Sequence, residues 1–306
     1  MKKLYFLFFF CMNLTTSYSQ KINVKYGVVD VYENFKSTKV SPRNISVWLP
    51  QNYTPKKKYA VLYMHDGQML FDSTQTWNKQ EWGVDECVTK LIREGKIKNT
   101  IVVGIWNSGE NRHPEYFPQK PYENLNKKDK ATVNEALLQS GRINTVFEPF
   151  SDQYLKFIVE EVKPFIDTTY ATLQDQTNTF IAGSSMGGLI SLYAICEYPT
   201  IFGGAACLST HWPGIFHTEN NPIPEAFYTY LKEKLPKAES HKIYFDYGTA
   251  TLDAIYEPLQ KKVDEIMFTK GFSKENWTTL KFEGEEHSEN AWKKRLHIPL
   301  EFLLKK

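Results

Sequence analysis

The sequence predicts an α/β protein with a central, mostly parallel sheet and helices on both faces. Three observations carry this. Strand-like apolar runs alternate with amphipathic helix-like runs along most of the 306 residues, and strands separated by helices require crossover connections and therefore parallel pairing. Several strand-like runs are almost continuously apolar, as strands covered on both faces are. Between Phe180 and Gly188 an apolar strand enters a glycine-lined turn with serine at its tip, and an apolar helical run follows.

The elements read in order as follows. Val24 to Val31 and Ile45 to Leu49 are strand-like, and Pro50 closes the second. Tyr59 to Met64 is a buried strand. Residues 80 to 94 are helical, with Val84, Cys87, Val88, Leu91 and Ile92 on one face and Gly95 as terminator. Asn99 to Trp106 is another buried strand. A helix near 151 to 166 leads to the strand of the glycine turn and the helix behind it. Beyond lie a strand at 203 to 209, a helix near 223 to 234, a strand at 242 to 247, a helix from Pro258 to about Thr269, a strand at 277 to 283, and a closing helix near 288 to 304.

Residues 1–19 read as a secretory signal peptide. Lys2 and Lys3 precede nine apolar or aromatic residues, Leu4 to Met12, and small residues follow around Ser17 and Ser19. The apolar run is about half the ~20 residues of a spanning helix, so no permanent membrane anchor is expected and the mature chain is placed outside the cytoplasm, secreted or periplasmic. Cys11 follows bulky Phe10, which disfavours lipidation. Losing Lys2 and Lys3 takes the formal charge from +2 to 0, which leaves no basic surplus to attract nucleic acid or anionic lipid. Cys87, Cys196 and Cys207 lack CxxC spacing, so no metal site is indicated, while one disulfide is allowed. Residues 20–306, 42% of the whole chain being apolar, suffice for one domain.

One interval breaks the strand-helix rhythm. Residues 107–146 are polar and aromatic, with Pro114, Pro118 and Pro121 among Arg112, His113, Tyr116, Phe117 and Tyr122. A long irregular segment dense in aromatics is expected to be a lid-like insertion or a packed surface excursion.

Gly183-Ser184-Ser185-Met186-Gly187 has the G-x-S-x-G spacing of a nucleophile elbow, in which glycines let strand and helix pass a serine held in a strained turn. A serine hydroxyl needs a base to take its proton, and the base needs an acid to orient it. His287, after the last strand and before the last helix, is placed for the base. His65 precedes the elbow, His217 and His241 lie in polar connections, His297 sits within the final helix, and His211 comes too early in the order. Asp253, in the loop after the 242–247 strand, is the favoured acid, with Asp246 and Glu257 as alternatives; helix capping is its structural alternative. For the oxyanion, the N–H groups of Met186 and of Gln68, in the loop His65-Asp66-Gly67-Gln68, are the candidates. Trp106, Tyr116 and Trp212 are candidate stacking residues for substrate. This chemistry requires no cofactor and no metal.

With its His65-Asp66-Gly67-Gln68 loop followed by Phe71-Asp72, its Trp82-Gly83-Val84-Asp85, its Gly183-to-Gly188 elbow and its late Gly284-Glu285-Glu286-His287 with Trp292, the chain resembles the esterase D-like family of the α/β-hydrolase superfamily. That family includes feruloyl and acetyl-xylan esterases, siderophore esterases, S-formylglutathione hydrolases and mycolyltransferases. The resemblance implies an α/β-hydrolase fold with Ser185 as nucleophile, His287 as base, an acid at or near Asp253, and Gln68 and Met186 as oxyanion donors. It implies as substrate an acylated carbohydrate (a feruloyl or acetyl ester) or a siderophore ester. Two rivals are an acyltransferase on the same scaffold and a non-catalytic glycan-binding homologue.

Overall fold

The computed structural model describes residues 21–216 and 219–306; the expected leader and His217 lie outside them. The strands are β1 (Val28–Phe35), β2 (Arg43–Leu49), β3 (Ala60–His65), β4 (Thr100–Ile105), β5 (Thr179–Ser184), β6 (Gly204–Leu208), β7 (Lys242–Gly248) and β8 (Trp277–Phe282). They form one sheet in the order β1-β2-β4-β3-β5-β6-β7-β8. From β4 to β8 every neighbouring pair is parallel, and β1 and β2 form an antiparallel ribbon on one side.

Because side chains alternate across a strand, each central strand feeds two cores. Tyr63, Ile181, Cys207 and Phe245 face one of them, and Leu62, Ala182, Ala206 and Tyr244 face the other. The helices α1 (Val84–Arg93), α10 (Glu289–Arg295) and α11 (His297–Leu304) cover the second face. The first face is covered by α2 (Arg112–Tyr116), α4 (Lys127–Gln139), α5 (Ser151–Lys156), α6 (Lys163–Thr169), α7 (Met186–Glu197), α8 (Ile223–Lys234) and α9 (Glu257–Thr269), with α3 (Gln119–Glu123) set between α2 and α4. Among the described residues no helix is long and apolar enough to cross a membrane.

Four elements differ from the sequence reading. The first strand begins at Val28 rather than Val24, because the backbone N–H groups of Asn23, Lys25 and Tyr26 are taken by the carboxylates of Asp72 and Asp85 instead of a strand partner. The segment near 151 to 166 is α5, a π-helical stretch Phe157–Val162, and α6; the closing helix is two helices meeting at Leu296. The insertion 107–146 is mostly helical. Pro114 and Pro121 lie within the first turns of α2 and α3, where a missing N–H costs nothing, so they do not break these helices. Tyr116, Phe117 and Tyr122 are buried in the first core, and Arg43 of β2 makes a buried two-pronged ion pair with Glu115 at 2.6 and 2.8 Å. The insertion is thus tied to the sheet along its inner side.

Among the described residues no disulfide forms: Cys87, Cys196 and Cys207 are free thiols, the last two buried. Burial pushes the Cys87 thiol up to about 12.

Candidate active site

β5 delivers Ser185 to the C-terminal edge of the sheet. Its φ of 59° and ψ of −123° are unfavourable for a residue with a Cβ, a strain of about 1–3 kcal/mol that the surroundings must hold in place. They do so through the Ser185 N–H, which donates to the Leu208 carbonyl at 2.9 Å, and through its carbonyl, which accepts from Gly188, Leu189 and His211. The flanking glycine is required by close approach: a Cβ on Gly183 would lie 2.7 Å from the Gly187 backbone.

His287 sits in the loop between β8 and α10. Its Nδ1 is 2.5 Å from Asp253 Oδ1, and its backbone N–H donates to Thr251 Oγ1 at 2.9 Å. Edge-on contacts with Trp292 and Tyr256 hold the ring. Asp253 lies on a short 3-10 turn, Thr251–Ile255, that follows β7, and is 1% exposed. Its second oxygen accepts from Ser209 Oγ at 2.5 Å and from the Gly248 N–H at 2.6 Å. The Ser209 hydroxyl in turn accepts from Trp292 Nε1 at 2.9 Å and from Arg295 Nη2 at 3.0 Å. With both donors directed at its oxygen, that hydroxyl has its hydrogen left for Asp253.

The two alternative acids are otherwise engaged. Asp246, at the end of β7, is fully buried and bonded to Arg295 at 3.0 and 3.2 Å and to the Tyr244 hydroxyl at 3.0 Å. Glu257 stands at the surface with Lys261 and Lys281. Neither carboxylate bonds to a histidine.

A cavity of about 680 Å³ opens over the elbow, and Ser185, His287, Gln68 and Met186 all line it. The described hydrogen bonds join His287 to Asp253 but not to Ser185; such contacts commonly tighten only with substrate in place. Met186 is the first residue of α7 and Gln68 the second of the 3-10 turn Gly67–Met69, positions where helix geometry leaves an N–H without an internal acceptor. The turn after β3 is fixed by Asp66 (φ 54°), whose carboxylate receives a two-pronged bond from Arg112 at 2.7 Å and a third from Asn107. Burial would raise the Asp66 carboxyl, but these donors hold it below the ordinary carboxylate value.

The three proposed stacking aromatics are not in the cavity wall. Tyr116 is buried, with its hydroxyl accepting from the Asp66 N–H; Trp212 is buried, with its Nε1 donating to Gln260; Trp106 reaches back to Ser46. The wall is made instead by Trp77, Phe216, Arg112, His113, Arg142 and His211, together with Trp82 and Trp292. His211 gives its Nδ1 to the Tyr256 hydroxyl at 2.7 Å, and burial, reinforced by nearby His287, drives its pKa well down. It is a neutral wall residue. His65 is buried against the Tyr154 hydroxyl, and burial takes its pKa to about 3. Ser209 and Arg295, which sequence reasoning passed over, carry no local motif; their place is visible only once β6 and α10 meet.

Residues 37–298 match the Esterase family, described as "Putative esterase". The chain is 25% identical over 179 residues to Uncharacterized protein YjcH of Bacillus subtilis (strain 168), a stretch covering 58% of this chain and 60% of that protein. It is 22% identical over 203 residues to an endo-1,4-beta-xylanase/feruloyl esterase of Xylanibacter ruminicola, covering 63% of this chain and 23% of that one. The chain thus spans less than two thirds of the length of these relatives. Among solved structures, the ferulic acid esterase AmCE1/Fae1A of Anaeromyces mucronatus superposes with a TM-score of 0.62 at 19% identity, over 92% of each chain.

Proposed function

The chain belongs to the Esterase family, and on that premise we propose that it is a serine carboxylic-ester hydrolase working through Ser185, His287 and Asp253. The observation that carries this is the 2.5 Å bond from His287 to buried Asp253 in a loop that overlooks the Ser185 elbow. Ser185 Oγ attacks the ester carbonyl carbon while His287 Nε2 takes its proton. The carbonyl oxygen becomes an oxyanion held by the N–H groups of Gln68 and Met186. The C–O bond to the alcohol breaks, and the imidazolium gives its proton to the leaving oxygen. Water then attacks the acyl-enzyme with His287 again as base, releasing the acid and restoring the Ser185 hydroxyl. Asp253 keeps the Nδ1–H tautomer and stabilises the imidazolium.

The sequence relationship to a bifunctional xylanase/feruloyl esterase supports an acylated carbohydrate, carrying feruloyl or acetyl groups, as the substrate class. The leader-like residues 1–19 support a reaction outside the cytoplasm. The test is a hydrolysis panel of feruloyl and acetyl xylo-oligosaccharides beside a catecholate siderophore lactone, run with and without an added alcohol acceptor. Oligosaccharide deacylation with water as acceptor supports the proposal. Turnover of the lactone alone would assign the siderophore class, and transfer to the added alcohol an acyltransferase.

A further inference from the structure

The mouth of the cavity carries a feature that ester hydrolysis alone does not use. Trp77 is 84% exposed, the most exposed large apolar side chain among the described residues, yet it lines the same cavity as Ser185 and His287. Leaving an indole in water forgoes much of the hydrophobic stabilisation its burial would return. The loop that presents it is braced. Asp72 accepts from the Thr74 N–H and hydroxyl and from the Gln75 amide, Glu81 accepts from the Ser73 N–H, and Asn78 reaches across to Glu289 at 2.8 Å.

Asn78, Gln80 and Glu289 line the same cavity, Asn78 following Trp77 directly in the chain. Gln80 Oε1 accepts from the Asn290 N–H and Glu289 Oε2 from Asn78, which leaves the Gln80 amide NH₂ as a donor and the other Glu289 oxygen as an acceptor in that lining. The lining thus combines an exposed aromatic face with one donor and one acceptor. An alkyl chain would need contiguous apolar surface, which amides and a carboxylate interrupt. An anionic ligand would meet Glu289, and of the two arginines that line the cavity Arg112 is paired with Asp66 while Arg142 lies over the Phe216 ring. A neutral pyranose fits: its polarised C–H face packs on the negative face of the indole, and adjacent hydroxyls offer both a donor and an acceptor.

We propose that Trp77, with Gln80 and Glu289, forms a sugar-ring subsite that receives the alcohol part of the substrate, a neutral oligosaccharide, at the cavity mouth. This rests on the esterase reading and extends it to the leaving group.

The experiment compares Trp77→Ala and Trp77→Phe with the wild type on p-nitrophenyl acetate and on a neutral acyl-oligosaccharide. Trp77→Ala should raise KM for the oligosaccharide ester about tenfold with kcat within about twofold, a change of about one decade in affinity being on the scale of one aromatic contact. Trp77→Phe should fall between, and the change in KM for p-nitrophenyl acetate, which carries no sugar, should be several-fold smaller than that for the oligosaccharide ester. Separately, xylohexaose, cellohexaose and mannohexaose are titrated into Ser185→Ala protein. At least one should shift the tryptophan fluorescence, and the shift should vanish in the Ser185→Ala/Trp77→Ala double variant. Unchanged KM in Trp77→Ala, an equal loss on both esters, or no fluorescence response to any of the three sugars would overturn the subsite. A wild-type protein that cleaves neither ester would instead contradict the esterase reading, and the fluorescence titration would still decide the subsite.

Discussion

Replacing Asp253 with asparagine tests the orientation of His287 with almost no change of volume. In the native site Oδ2 accepts from both Ser209 Oγ and the Gly248 N–H, and Oδ1 faces His287 Nδ1. An asparagine must place its NH₂ at one of these positions. At the Oδ2 position it would confront two donors, so the carbonyl oxygen belongs there and the NH₂ turns toward His287. Imidazole then accepts at Nδ1 and carries its hydrogen on Nε2, the tautomer that cannot take a proton from Ser185. Losing the correct tautomer in such a triad costs about 10⁴ in kcat, or roughly 5.5 kcal/mol of transition-state stabilisation. The assay is steady-state hydrolysis of p-nitrophenyl acetate by Asp253→Asn, with circular dichroism confirming the fold. A kcat within tenfold of wild type would refute the assignment of Asp253 and the reasoning from its two fixed donors.

Three further outcomes follow from the same geometry. Ser209→Ala removes one donor from Asp253 and the acceptor of Trp292 Nε1, while Arg295 Nη2 keeps only Asp246; kcat should fall about 10–100-fold, since a hydrogen bond to a charged group is worth about 1.5–3 kcal/mol, while KM stays near wild type. In Gly183→Ala the added methyl meets the Gly187 backbone, so thermal denaturation should show a loss of about 1–3 kcal/mol and hydrolysis should be abolished or nearly so. Stability should also fall with acid. His65 and His113 are held neutral by burial with pKa values of about 3, against about 6.5 when unfolded, so below pH 6.5 the unfolded chain binds more protons than the folded one. Their contribution is complete above pH 6.5 and is lost progressively down to about pH 3; at pH 4.5 the pair accounts for roughly 5 kcal/mol, an order-of-magnitude figure. Urea midpoints measured across this range should drop, and His113→Gln should remove about one proton from the slope.

The parallel sheet was legible because its central strands are buried on both faces, which writes continuous apolar runs into the sequence at Tyr59–Met64 and Asn99–Trp106. The elbow was legible because its constraint is local: Gly183 meets Gly187 four residues away. Choosing among Asp246, Asp253 and Glu257 was harder, since the three lie within a dozen residues and the partner that claims Asp246, Arg295, comes from 49 positions further on. The insertion hid its helices because α2 and α3 are short and carry prolines, while α4 buries only Val133, Ala136 and Leu137 and so writes a weak apolar period. The aromatic assignments failed for a related reason. Trp106 and Trp212 lie in loops and Tyr116 at the end of α2, where a side chain turns either inward or outward and only packing decides. Trp77, in a polar stretch with no periodicity, gave no signal of its own.

The central claim is that Ser185 is the nucleophile, and covalent labelling tests it most directly. A fluorophosphonate probe incubated with the protein, followed by peptide mass spectrometry, should place one adduct on Ser185; His287→Ala should slow labelling by orders of magnitude and Ser185→Ala should prevent it. A protein that stays unlabelled, or carries its adduct on another residue, would contradict the account.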